Sequence, residues 1–227
     1  MDKYALLLII PPFLLSLYAQ FKVKWTFSHY SKQGNRRGLT GAEVARMILD
    51  DNGLTNVPVE QVPGELSDHY DPSSRTLRLS ESVYGDTSVA AIGVAAHEAG
   101  HAIQHKVGYA ALALRSVLVP VASIGSYIGP WMAIIGLGLG MFGLVYIGII
   151  LFSCAVAFSL VTLPVEFNAS SRALAILQSN RILDANEIEP TRKVLNAAAM
   201  TYVAATLVAV SQLLHFILMA MNRRSDD

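Results

Sequence analysis

A stretch of 50 residues without a single Asp, Glu, Lys or Arg, 116–165, constrains this chain more than any other feature. Helices built from it would have no polar face, so a water-soluble protein could not expose them. A membrane-spanning helix needs about 20 apolar residues, which makes the stretch too long for one crossing and too short for three. It therefore predicts two transmembrane helices over 116–163, reversing near Gly136, Gly138 and Gly140.

Two further apolar runs, residues 4–21 and 194–222, predict one crossing each. A cleaved signal peptide is the alternative for the first run, but that run is long and ends in Leu17-Tyr18-Ala19, a poor cleavage site. Only 15% of the residues are charged, against about 25% in soluble domains, which agrees with a lipid bilayer as the surroundings. The formal net charge is zero, so nothing favours a nucleic-acid partner.

The polar remainder, residues 22–115 and 164–193, is long enough for one small α+β domain. Residues 66–80 are typical of two short strands around a turn, and the alternation in the second strand predicts one buried face. Ser88 is typical of the residue that begins a helix, and the Ala-rich segment after it predicts a helix that runs to Gly108. The segment 164–193 is expected to add one more helix.

The Ala-rich helix contains His97-Glu98-Ala99-Gly100-His101, an H-E-x-x-H motif. Histidines four residues apart leave the same face of a helix, so both imidazoles can bind one Zn²⁺. Glu98 points to the side, where a carboxylate can act as the general base in zinc-assisted hydrolysis. The alternative is a buried helix with hydrogen-bonded histidines. The lone cysteine, Cys154, excludes a Cys-type zinc site.

A catalytic zinc usually has three protein ligands and one open position. The third ligand must return to the same side of the membrane as His97, and the first acid after the two crossings is Glu166. The alternative for Glu166 is a carboxylate at the N-terminus of a helix, where the dipole favours it. His105 is too far along the helix to share the ion with both motif histidines. His69, just before the predicted turn, could approach the cleft.

Three segments, 69–72, 97–105 and 163–170, resemble the bacterial YugP-like neutral zinc metallopeptidases. The resemblance covers essentially the whole chain. It implies a zinc-dependent membrane protease in which His97, His101 and Glu166 bind the metal and Glu98 is catalytic. The fold class that follows is mostly α: an integral membrane protein with about four transmembrane helices and a small zincin-like α+β catalytic domain.

The chain is also similar, more distantly, to membrane zincins of the HtpX type. Their ligand pattern is Glu-x-x-x-Asp, in which the Asp orients a zinc-bound His, and Ser170 occupies that position here. A hydroxyl can hydrogen-bond an imidazole but carries no charge. Arg172 and Tyr202 are candidates for stabilising the transition state, because a zincin needs a donor near the developing oxyanion.

These features predict an endopeptidase that cleaves membrane or membrane-associated proteins, with the extended substrate added as a strand beside residues 75–80. A site-2-type intramembrane protease is one alternative, but it takes a ligand from an Asp-Gly motif, and no Asp lies between Asp86 and Asp184. A catalytically inactive, metal-stabilised scaffold or chaperone is another, although it would not need Glu98. The substrate, a regulatory partner and the oligomeric state are not predicted.

The positive-inside rule gives an orientation in the cell membrane. Many cations accompany the zinc motif, whereas few lie at the chain ends, so the active site is expected in the cytoplasm and both termini outside. The cations on the zinc side are Lys22, Lys24, Lys32, Arg36, Arg37, Lys106, Arg115, Arg172, Arg192 and Lys193, and those on the other side are Lys3, Arg223 and Arg224.

Overall fold

Four helices are long and apolar enough to cross a membrane in this computed structural model, which describes the backbone of residues 3–224 and the side chains of residues 6–222. The mostly α integral membrane fold is therefore confirmed. The elements in chain order are α1 (Lys3–Tyr30), α2 (Gly41–Asp51), β1 (Val59–Val62), β2 (His69–Asp71), β3 (Thr76–Ser80), α3 (Glu81–Tyr84), α4 (Val89–Lys106), α5 (Ala110–Leu139), α6 (Phe142–Ser179) and α7 (Ala185–Arg224).

The apolar helices extend well past the apolar runs that predicted them. Helix α1 continues from the predicted end at residue 21 to Tyr30. Helix α6 runs through Pro164 to Ser179, and α7 begins at Ala185, so 164–193 is not a separate helix. Charged residues favour water over lipid, but they do not interrupt the backbone hydrogen bonds of a helix. The side chains of Lys3, Arg223 and Arg224 lie outside the described residues.

The chain divides into two compact units. We call the first the membrane unit; it contains the described residues up to Ala19, Ala110–Pro164 and the described residues from Thr201 onward. We call the second the polar unit; it contains Gln20–Tyr109 and Val165–Met200.

Within the membrane unit, α5 and α6 pack backbone to backbone. Gly140 has a positive φ of 69°, and the chain reverses there between the two helices, at the glycine-rich segment that predicted the reversal. A Cβ atom on Gly129 would lie 2.9 Å from the carbonyl oxygen of Gly148, so small residues let the helices approach closely. Phe152 and Phe216 pack edge to face, with ring centroids 6.0 Å apart.

The polar unit has a three-stranded sheet of order β1-β3-β2. Strand β1 is parallel to β3 and β2 is antiparallel to it, with Val59 and Tyr70 both opposite Leu77. The predicted single buried face of β3 is wrong, because Thr76 and Ser80 are buried as well as Leu77. Since β3 is central, an added peptide strand cannot pair with it, and the expected binding site beside residues 75–80 is also wrong.

Helix α4 forms as its sequence predicts. Ser88 Oγ accepts a hydrogen bond from Ala91 N at 3.1 Å and begins the helix, and Gly108, at φ 63°, follows its end. Fourteen of its 18 residues are buried, many of them Ala or Gly. Such small side chains let α2 and the sheet pack closely around the helix. The metal-site motif is thus carried by a rigid, buried helix.

Candidate metal centre

Three side chains of the polar unit converge on one point: His97 and His101 from α4 and Glu166 from α6. The Nε2 atoms of the two histidines are 3.1 Å apart, and Glu166 Oε2 lies 3.2 Å from His97 Nε2 and 3.6 Å from His101 Nε2. Ligand atoms at the corners of a tetrahedron around Zn²⁺ are roughly 3.3–3.4 Å apart, given bonds of about 2.0–2.1 Å. The observed separations bracket this value, so the three groups fit a zinc ion.

The alternative assignment of Glu166 to a helix N-terminus is wrong. Glu166 lies well inside α6, which begins at Phe142, and its side chain is only 3% exposed. A buried carboxylate needs a cationic partner or strong hydrogen bonds. Two imidazole nitrogens lie next to the carboxylate, and a cation held between the three groups would neutralise its charge.

The remaining ring nitrogens of the two histidines have their own partners. His97 Nδ1 lies 3.0 Å from Ser170 Oγ, and His101 Nδ1 lies 3.0 Å from Gln104 Oε1. Both rings therefore direct Nε2 toward the cluster. Ser170 sits where the sequence placed it, one turn after Glu166 and against an imidazole, and it is buried. Such outer hydrogen bonds fix the orientation of metal-binding imidazoles.

Glu98 lies beside the cluster without belonging to it. Its Oε2 accepts a hydrogen bond of 3.0 Å from the backbone N–H of Tyr70 in β2, and its side chain is buried. Nearby, Asp68 accepts hydrogen bonds from the N–H and hydroxyl of Ser80, and burial raises the pKa of Asp68. The short strand β2 therefore places a backbone donor against the motif carboxylate.

The electrostatic surroundings of the cluster favour positive charge. Burial alone would lower the pKa of His101, but a hydrogen bond donated to Glu166 and the charges of Glu98 and Glu166 outweigh it and raise that pKa. A divalent cation satisfies the same preference more fully than a proton does. Two carboxylates around two neutral imidazoles are thus well matched to Zn²⁺.

The structure does not bring every candidate residue to the cluster. Arg172 Nε donates to Asn168 Oδ1 at 2.7 Å. The His69 ring contacts its neighbour Ser67 through the Ser67 carbonyl oxygen, at 2.8 Å from Nδ1. Tyr202 belongs to the membrane unit, and its role stays a prediction. His105 Nδ1 lies 2.9 Å from the Tyr70 hydroxyl, and His105 is not one of the three clustered side chains.

Sequence reasoning missed two contributors to this site. Gln104 is completely buried and contacts His101, and a polar residue three positions after a metal-binding histidine was the available signal. Tyr70 contributes its backbone N–H, which no side-chain pattern reveals.

Comparison with known proteins agrees with the geometry. Residues 5–221 match the model of a family described as "Putative neutral zinc metallopeptidase". The chain belongs to this family. It is also similar to the "Putative membrane protease YugP" of Bacillus subtilis (strain 168), with 53% identity over 213 residues, covering 94% of this chain and 95% of that protein. No solved structure matches the chain. Zinc is therefore the cofactor that both the family and the ligand set indicate.

Proposed function

We propose that this chain is a membrane-embedded zinc-dependent endopeptidase that hydrolyses membrane or membrane-associated proteins, with Glu98 as the general base. The position of Glu98 carries the proposal. It is buried beside the three proposed ligands, yet its carboxylate is held by a backbone amide instead of joining the cluster. A metal site that only stabilises a fold needs its ligands and has no use for such a carboxylate.

Each residue then has a distinct role. His97, His101 and Glu166 would hold the metal, and zinc bound there would supply the Lewis acidity to polarise a scissile carbonyl and activate water. Tyr70 N–H holds one oxygen of Glu98, which leaves the other to take a proton from the attacking water. Glu98 then gives that proton to the leaving amine as the C–N bond breaks.

Strand β2 is a better site than β3 for binding an extended substrate. It is an edge strand, and its Tyr70 N–H points to Glu98 instead of pairing with β3. The outer edge of β2 therefore faces the proposed base. A substrate aligned there would present its backbone close to both the base and the proposed ligands, as β-strand addition does in other peptide-binding proteins.

Charge supports an active site on the cytoplasmic side of the cell membrane. The polar unit contains most of the cations that the positive-inside rule counts, including Lys32, Arg36 and Arg37. The alternatives have less support. A site-2-type protease would use an Asp ligand where Glu166 stands, and an inactive scaffold leaves the position of Glu98 unexplained.

The test is Glu98→Gln, which keeps the size of the side chain and removes the base. Zinc content should stay at about one per chain, whereas peptide hydrolysis should fall by about 10²–10⁴-fold. The matched control is Glu189→Gln, since Glu189 is exposed and pairs only with Arg192 among the described ion pairs. Membrane proteins that accumulate in cells with Glu98→Gln, and not with the control, are the candidate substrates. Hydrolysis at the wild-type rate by zinc-loaded Glu98→Gln would refute this role.

A further inference from the structure

The orientation of the Gln104 amide can be deduced from its partners. Its nitrogen lies 2.8 Å from the carbonyl oxygen of Val165, and its oxygen lies 3.0 Å from His101 Nδ1. A backbone carbonyl only accepts hydrogen bonds, so the amide nitrogen must face Val165. A flipped amide would bring two acceptors together inside the protein, where Gln104 is completely buried. The amide oxygen therefore faces His101.

This orientation selects one tautomer of His101. An amide oxygen only accepts, so Nδ1 of His101 must carry the proton. In the neutral ring the lone pair is then on Nε2. Nε2 is the atom that lies 3.1 Å from His97 Nε2 and 3.6 Å from Glu166 Oε2. The buried amide thus presents to the cluster the nitrogen that can bind a metal.

The amide is in turn fixed by a second amide and a cation. Asn168 Oδ1 accepts hydrogen bonds from Gln104 Nε2 at 3.0 Å and from Arg172 Nε at 2.7 Å. A guanidinium can only donate, so the Asn168 amide must turn its oxygen, and not its NH2 group, toward Arg172. The bond from Arg172 is also charge-assisted and stronger than one between neutral groups. Hydrogen bonds thus connect the four side chains: Arg172 and Gln104 both donate to Asn168, and His101 donates to Gln104.

We infer that Gln104, Asn168 and Arg172 form a positioning relay that holds His101 in its metal-binding tautomer, and that Arg172 acts on zinc affinity and not on the substrate. His97 differs, because its partner is the Ser170 hydroxyl, which can donate or accept. The Gln104 amide thus fixes the tautomer of His101, whereas the Ser170 hydroxyl is compatible with either tautomer of His97. The inference rests on the proposed metal ligands and not on the proposed peptidase activity.

Zinc affinity without substrate is the first test. Purified full-length protein in detergent is titrated with zinc against a chelator of known affinity. Gln104→Met, which keeps the volume and removes the hydrogen bonds to His101, Val165 and Asn168, should weaken zinc binding by about 10–100-fold. Arg172→Met should weaken it by a smaller factor, and should add nothing in the Gln104→Met background because the relay is already cut. The matched control, Arg192→Met, removes an arginine paired with Glu189 and should leave the affinity unchanged.

The tautomer is the second test. Nitrogen-15 NMR of zinc-free, histidine-labelled protein, recorded at a pH that keeps the ring neutral, should show Nδ1–H at His101 in the wild type and a mixture of tautomers in Gln104→Met. The six histidines are assigned by single substitutions. If Gln104→Met does not fold, Arg172→Met still provides the test. Arg172 is half-buried and is not part of the core, so this variant should fold.

Two results would overturn the relay. One is an Nε2–H tautomer of His101 in the wild type. The other is an Arg172→Met protein with wild-type zinc affinity and a reduced kcat, which would place Arg172 at the oxyanion as the sequence first suggested. The His101 tautomer and the zinc affinity are both measured without a substrate, and kcat is measured separately. A protein that cleaves nothing but shows the predicted affinities would therefore reject the peptidase proposal and retain the relay.

Discussion

A Cβ atom on Gly100 would lie 2.9 Å from the carbonyl oxygen of Ala169, so α4 and α6 meet here without any intervening side chain. Gly100 precedes the proposed ligand His101, and Ala169 follows Glu166 by less than one turn of α6. The same contact brings two histidines from one helix and a carboxylate from the other close enough together to hold one metal ion. The glycine of the motif is required by this close approach.

Gly100→Ala should therefore loosen the metal site. The added methyl group meets backbone, which cannot move as a side chain would, so α6 must shift away from α4. Overpacking of this kind costs about 1–3 kcal/mol. We expect a lower Tm and weaker zinc binding, measured by thermal unfolding and chelator competition. Gly85→Ala is the control, because a Cβ there has nothing within 4 Å. Equal zinc affinity in Gly100→Ala and wild type would contradict the close contact.

Glu166→Ala should remove most bound zinc while the protein still folds. Loss of one of three protein ligands leaves only two imidazoles, which is short of a catalytic zinc site. Elemental analysis of the purified protein measures the occupancy, and circular dichroism checks the helical content. Glu189→Ala, an exposed change in α7, should keep full occupancy. Full occupancy in Glu166→Ala would mean that the third ligand is another residue.

The backbone N–H of Tyr70 can be tested by comparing two substitutions. Tyr70→Ala and Tyr70→Pro both remove the side chain, but only proline removes the N–H that binds Glu98. Proline is tolerated in an edge strand where the N–H points away from its neighbour, as it does in β2. We expect Tyr70→Pro to hydrolyse peptides at least about tenfold more slowly than Tyr70→Ala with the same zinc content. Equal rates would show that Glu98 does not depend on this amide.

Much of this arrangement could be predicted from local patterns. The uncharged stretch identified α5 and α6, and the spacing of His97 and His101 placed both on one face of α4. Strand β1 was missed, because Val59–Val62 is short and pairs in parallel with β3, 18 positions further along the chain, across the intervening β2. The extension of α6 past Glu166 was missed because polarity alone was taken to mark a boundary. The contacts of Gln104 depend on three-dimensional packing that no local pattern encodes.

Membrane orientation can be measured with a cysteine in the exposed segment after α1. Cys154→Ser provides a cysteine-free background, and Gln33→Cys then introduces one exposed thiol. Impermeant thiol reagents should label it only after cells are opened, because the positive-inside rule places the polar unit in the cytoplasm. A reporter fused after Asp227 should be active outside the cell. Labelling of Gln33→Cys in intact cells would reverse the proposed orientation.

The position of the third ligand along the chain has a consequence for biosynthesis. His97 and Glu166 lie 69 positions apart, and all of α5 and nearly two-thirds of α6 are made between them. At about 5–20 residues per second, a ribosome needs roughly 3–14 s to cover that distance. During this interval the nascent chain has Glu98 and the two imidazoles but lacks the proposed third ligand. On this ligand set, the metal site cannot be completed until α5 and the apolar part of α6 have been synthesised.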